Sequence, residues 1–338
     1  MARKDEAVSA VETATTQRSP GSLALTLRYT ILTLFTTAVL LPGAYQPALD
    51  HLWTSLRAST LYRWSTFETL WTVLCYAVME PFITTVFMNH PDWRLAHRRP
   101  DGRAKPKGMR RPGRRGYEIA VYVLPLLTLD LAMIKKFADV PLEDMLISGN
   151  YDPAISGHRS TFLVPSVHNF SRSSPLQTQR ALPVSSPSSR RLALELLCSL
   201  VLYDALFFAF HYAMHILPGI RSWHLPHHKH GEMQPQITNQ LHIFERMGLV
   251  LLANFSLNII GSHVLTRTLF VPLFVWLLVE IHSGLDLPWA YDKILPTGLG
   301  GGARKHAAHH RDGSGGLEPY FTWCDAALEM ARDRFHFS

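Results

Sequence analysis

Twelve of the chain's 18 histidines lie between His211 and His310, and eight of these twelve fall into three short groups. The first is His211-Tyr-Ala-Met-His215, the second His224-Leu-Pro-His227-His228, and the third His306-Ala-Ala-His309-His310. Residues three or four apart share one face of a helix, so each group can aim two or three ring nitrogens at a common point. A neutral imidazole offers a nitrogen lone pair without first losing a proton, which suits iron or zinc. Eight such side chains exceed what one ion can hold, so the spacing implies two metals close together. Eight semi-buried imidazoles without a ligand would leave many polar nitrogens unsatisfied. Asp204 precedes His211 by seven residues on the same helical face. A carboxylate there is placed to orient a ligating imidazole.

Competing chemistries lack their residues. Cys75, Cys198 and Cys324 are too few and too scattered for a disulfide scaffold or a thiolate site. Cys75 and Cys198 sit in apolar runs and read as small buried hydrophobes. The sequence contains no GxGxxG, Walker, HExxH or GxSxG pattern. His230, His263 and the six histidines outside the 211–310 stretch read as ordinary polar residues.

The elements that must position these groups are apolar helices. The chain has 338 residues, of which 47% are hydrophobic and 17% charged. Roughly 25% charge is usual for a soluble domain, so a water-filled surface is disfavoured. Apolar runs cover Leu23–Leu41, Thr66–Phe87, Ile119–Ile134, Leu192–Leu217 and Met247–Ile281. About 20 apolar residues cross a bilayer. The first, second and fourth runs suffice alone, the third with its flanks, and the fifth is long enough to fold back as a helical hairpin. The fold expected is an all-α, multi-pass transmembrane helical bundle with a cytosolic histidine-rich metal-binding cap. Residues 1–22 form a flexible tail, 23–190 an N-terminal membrane region, and 191–330 the catalytic domain.

Charge orders the crossings. The net charge of +7 comes from one stretch, Arg94–Arg115, which holds ten Arg or Lys and one Asp. It adjoins apolar runs, so no nucleic-acid partner is expected; the loop 94–115 belongs on the cytosolic side. The Ser- and Pro-rich loop 139–190 then faces the lumen, and it contains the glycosylation tripeptide Asn169-Phe170-Ser171. Every histidine group lands on the same side as the basic loop.

The series HxxxH, HxxHH, HxxHH resembles the fatty acid hydroxylase/sterol desaturase superfamily of membrane di-iron enzymes. The resemblance covers about Leu192–Leu328. It includes Ile281-His282-Ser283-Gly284-Leu285-Asp286-Leu287-Pro288-Trp289, and Pro319-Tyr320-Phe321-Thr322-Trp323, which are closest in flavour to sterol-side-chain hydroxylases. It implies His242 and His282 as further metal ligands. His242-Ile-Phe-Glu245 is similar to the family's single histidine followed by an acid, which gives Glu245 a supporting role beside the ligands. It also implies two iron ions (zinc may substitute), O2 as co-substrate, cytochrome b5 or a similar electron donor, a lipid substrate and an endoplasmic reticulum membrane. The sequence departs from the family pattern at Tyr212, Ala307 and Cys324, where Arg, Asp and a direct Trp-Asp pair are usual.

Three functions are compatible with these residues. The first is an O2-dependent oxidoreductase that hydroxylates or desaturates an unactivated C–H bond of a sterol, terpenoid or fatty-acyl lipid. The second is a zinc-dependent membrane hydrolase or isomerase. The third is an inactive relative that retains its metal.

Overall fold

The computed structural model describes residues 21–96, 109, 116–154, 163–230, 232–313 and 315–335. The tail 1–22 and the basic loop 94–115 lie almost wholly outside these residues. The described chain is all-α; its β pairing is limited to isolated bridges such as Arg94–Leu285 and Met133–Val167. Among the described residues, nine helices of more than seven residues carry the architecture: α1 (Ser22–Leu40), α2 (Pro42–Ala58), α3 (Phe67–Asn89), α4 (Gly116–Ala132), α5 (Ser189–Ile216), α6 (Ile243–Ile259), α7 (Val264–His282), α8 (Gly302–Asp312) and α9 (Trp323–Phe335).

Four of these, α1, α3, α5 and α7, are long and apolar enough to cross a membrane. The chain is therefore an integral membrane protein with several spanning helices. Exposure supports a lipid surround. In α1 only 6% of the apolar window is buried, whereas in α7 67% is. Leu32 and Leu34 of α1 stand more than half exposed. A bilayer solvates such a face at no cost, and water does not. Helix α7 sits at the centre of the bundle, contributing Phe270, Phe274, Val275, Leu278 and Ile281 to the main core.

The expected third crossing ends two residues before its apolar run does: α4 has 17 residues and stops at Ala132, and the Ile134 N–H bonds Ser166 O instead. The long fifth run is two helices, α6 and α7, with Gly261 at φ +61° between them. The left-handed backbone there suits glycine. Helix α2 was not foreseen. It lies beyond Leu41-Pro42, where proline at the first helical position starts a new helix, and it buries Trp53. Cys198 is exposed on α5 rather than buried, because that side of the helix faces outward.

Direction follows from contacts at the helix ends. Ser189 Oγ, at the start of α5, donates to Ala38 O at the end of α1, so these helices are antiparallel. Arg28, near the start of α1, reaches Lys293, Ile294 and Leu295 carbonyls in the segment before α8. Leu95 N bonds Gly284 O just past α7, so α3 and α7 end together. At their other ends Glu68 pairs with Arg267 at 3.2 Å and with Arg180 at 3.0 Å. Removing one member of such a buried group strands the others, at a cost of about 3–5 kcal/mol. The C-terminal ends of α5 and α7 thus share one face with the histidine segments, and the described residues 163–188 lie toward the opposite face, where Arg180 meets Glu68.

Asn169 is exposed on that opposite face, next to His168, whose N–H bonds Ala132 O at the end of α4. A cytosolic placement of the histidines, as the charge pattern predicts, would put Asn169 in the lumen. Expression with microsomes should give an N-linked glycan that Asn169→Gln removes. Glycosylation of a sequon introduced beside Trp223 in its place would reverse the orientation.

Candidate metal centre

The histidines occupy four supports. Helix α5 carries His211 and His215 on its last two turns. The short helix Pro218–His224 and the 3-10 turn Leu225–His228 carry His224, His227 and His228. His282 is the last residue of α7, and α8 carries His306, His309 and His310.

Their ring nitrogens gather into two sets. One comprises His211, His215, His224, His228 and His309; the other comprises His227, His282, His306 and His310. Within each set one nitrogen from every ring lies within 4.8 Å of all the others. Each HxxHH triplet is divided between the sets, which places the two points side by side. The His228 and His310 rings, one from each set, stack with centroids 4.5 Å apart.

Hydrogen bonds on the far side of the rings decide what the convergent nitrogens are. His211 Nδ1 lies 2.7 Å from Leu317 O, His309 Nδ1 2.8 Å from Gly315 O, and His282 Nδ1 2.8 Å from Leu278 O. A carbonyl only accepts, so each Nδ1 carries the proton and each Nε2 is left with a bare lone pair. His224 Nδ1 lies 2.8 Å from Glu245 Oε1, with the same result. The bare Nε2 atoms then face one another: His211 and His224 at 2.9 Å, His309 and His211 at 3.2 Å. In the second set His282 Nε2 lies 3.2 Å from His227 Nε2 and 3.0 Å from His306 Nε2. Lone pairs so close repel unless a cation stands among them. Nitrogens about 2.1 Å from a shared metal stand about 3.0–3.4 Å apart, so the residues present fit a metal at each point.

Burial reinforces this. His224, His227, His306 and His309 are all at most 5% exposed. Desolvation pushes the His224 ring down to about 4, and desolvation together with neighbouring imidazoles pushes His228 down to about 3. His227, His306 and His310 shift in the same direction for the same reasons. The rings are neutral at physiological pH, which is the ligating form.

Two site expectations require correction. His242 joins neither set. It caps the N-terminus of α6, accepting from Phe244 N at 3.4 Å, and its ring stacks on Trp223. Asp204 touches no imidazole. Its Oδ1 accepts from Tyr320 N at 2.8 Å and Phe321 N at 3.2 Å, fixing the segment that follows α8. His211 takes the Leu317 carbonyl in its place. That carbonyl is itself held, because Leu317 N donates to Asp325 Oδ1 at 3.0 Å, and the other Asp325 oxygen pairs with Lys305 of α8 at 2.7 Å. These backbone partners have no side-chain signature, and sequence reasoning missed them. Asp325 was visible only as the displaced acid after Trp323-Cys324.

A cavity of about 420 Å³ runs from the histidines into the bundle. His211, His224, His227, His282 and His306 close one end, so both sets border it; Tyr76, Val123 and Leu249 line its apolar wall.

Residues 196–329 match the family model described as fatty acid hydroxylase. The chain is 36% identical over 141 residues to the cholesterol 25-hydroxylase-like protein of Danio rerio, covering 41% of this chain and 56% of that one. It is 32% identical over 152 residues to cholesterol 25-hydroxylase of Rattus norvegicus and, over the same length, to that of Homo sapiens, covering 45% of this chain and 51% and 56% of theirs. The chain thus spans about half the length of the curated relatives it matches. No solved structure matches it. The matched region includes all nine convergent histidines.

Reconstituted wild-type protein should hold two irons per chain by elemental analysis. His310→Ala, which takes one ligand from the four-membered set, should hold about one. Glu245→Ala should keep the fold but weaken iron binding about 10- to 100-fold, the usual penalty for losing an imidazole's partner. Unchanged iron content in both variants would show that the rings are not ligands.

Proposed function

We propose that the chain is a di-iron, O2-dependent membrane oxidoreductase that hydroxylates an unactivated C–H bond of a sterol-like lipid. The observation that carries this reading is the meeting of nine imidazoles, in two adjoining sets, at the end of an apolar cavity. Bound iron supplies activation of O2 and removal of hydrogen from carbon, chemistry that side chains alone do not perform.

The chain's own residues do the rest. The 211–228 segment, His282 and α8 fix the ligands. Leu317, Gly315 and Leu278 carbonyls and the Glu245 carboxylate hold the tautomers. The cavity excludes water and seats hydrocarbon against the His211–His306 end, where one substrate carbon is presented. Positioning of this kind is worth several kcal/mol of barrier. Likeness to proteins named cholesterol 25-hydroxylase favours a sterol side chain over a fatty-acyl chain, and hydroxylation over desaturation. In this reading electrons come from cytochrome b5 or a similar donor on the cytosolic face of the endoplasmic reticulum, the side on which the charge pattern of the sequence puts both the histidines and the basic loop 94–115.

Reconstitution with iron under anaerobic conditions, followed by turnover of a sterol pool with 18O2 and a reductant, tests this. One labelled oxygen per product alcohol is expected, with at least a hundredfold loss in His228→Ala. An alkene product would make the chain a desaturase, and label-free hydrolysis supported by zinc would replace the reading altogether.

A further inference from the structure

Two buried carboxyls meet where α5 touches the segment 317–325, which leads from α8 into α9. Asp204 is 0% exposed and Glu318 2% exposed, and their side chains hydrogen-bond each other. One oxygen of each is already occupied by backbone. Asp204 Oδ1 accepts from Tyr320 N and Phe321 N. Glu318 Oε2 accepts from Cys324 N at 2.8 Å and Asp325 N at 3.0 Å. The other two oxygens, Asp204 Oδ2 and Glu318 Oε1, are buried and take no donor from the rest of the described chain. They are the atoms left to make the contact between the two side chains.

Two carboxyl oxygens form a hydrogen bond only when one of them carries a proton. Two ionised carboxylates in contact repel, and a buried pair escapes this by keeping one proton between them. The titratable groups that face the pair among the described residues are Tyr203 on α5, Tyr291, Tyr320, and Cys324 and Asp325 at the start of α9. None of these is a cation. The Tyr291 hydroxyl donates to Pro319 O and the Tyr320 hydroxyl to Phe274 O, and the Tyr203 hydroxyl reaches no partner. The Cys324 thiol, a weak donor, lies against Glu318. Lys305 of α8 pairs with Asp325 instead.

We infer that Asp204 and Glu318 share one proton, and that this acid pair latches the segment 317–325 onto α5 and so positions His211. The segment bears the Leu317 carbonyl that takes the His211 Nδ1 proton at 2.7 Å. The two carboxyls hold its N–H groups at 320, 321, 324 and 325, and Asp325 holds the one at Leu317. Both acids act on the ring through that carbonyl, so they are positioning residues. Their effect on metal rests on the ligand role of His211 given above; the shared proton does not. An amide can stand in for the protonated member. Its oxygen keeps the two backbone N–H groups, and its NH2 donates to the remaining carboxylate. Amides at both positions would set NH2 against NH2.

A double-mutant cycle on the full chain in nanodiscs tests this, read by thermal unfolding of the metal-free protein and by anaerobic iron titration. Asp204→Asn and Glu318→Gln should each bind iron within about threefold of wild type, because each keeps every hydrogen bond. Asp204→Asn/Glu318→Gln should bind iron at least about tenfold more weakly, and its unfolding temperature should drop by more than the two single effects summed. Failure of the double variant to fold, with both single variants folded, is the same outcome in its extreme. Infrared spectra at neutral pH should show a protonated-carboxyl C=O band in wild type that is missing from both single variants. A wild type without that band, or amide effects that simply add, overturns the proposal. The band and the non-additive unfolding in a protein that takes up no iron would leave the acid pair standing and overturn only the metal centre.

Discussion

Nine imidazoles, six of them buried, converge in two sets, and a cation at each point would relieve the repulsion among their facing nitrogen lone pairs. The backbone enforces the conflict. Carbonyls at Leu317, Gly315 and Leu278 take the Nδ1 protons, and proteins otherwise pair buried polar atoms. A positive charge at each point would tie together α5, α7, α8 and the 218–228 segment, which supply the rings.

The membrane explains where these rings sit. Metal ligands are polar, whereas α1, α3, α5 and α7 are apolar along their length. Placing His211 and His215 on the last turns of α5, and His282 at the end of α7, lets the helices stay in lipid while the ligands reach the boundary. Polar ties then fix the cap to the bundle. Arg28 holds the carbonyls of residues 293–295, Asp204 holds residues 320 and 321, and Leu95 and Asp286 pair the end of α3 with the segment after α7. Each joins residues far apart in sequence, which is how a membrane region outside the matched family segment comes to shape the site.

The sequence made the spacing of the box histidines legible, because periodicity near 3.6 is a local property. It also made the spanning helices α1, α3 and α5 and the two helices of the fifth run legible, since a bilayer demands length and little else. The split of His227 from His228, and of His309 from its neighbours, was not legible. It depends on how two segments cross in space. Asp204 and His242 show the limit from the other side. Both have residue types suited to the metal site and plausible positions, yet a nearer backbone N–H claimed each. Helix α2 was missed because its polar residues dilute the apolar signal.

The most direct measurement is diffraction from iron-loaded crystals collected on either side of the iron absorption edge. Two anomalous peaks are expected, one among His211, His215, His224, His228 and His309 and the other among His227, His282, His306 and His310. A single peak, or iron bound away from these rings, would contradict the two-metal site.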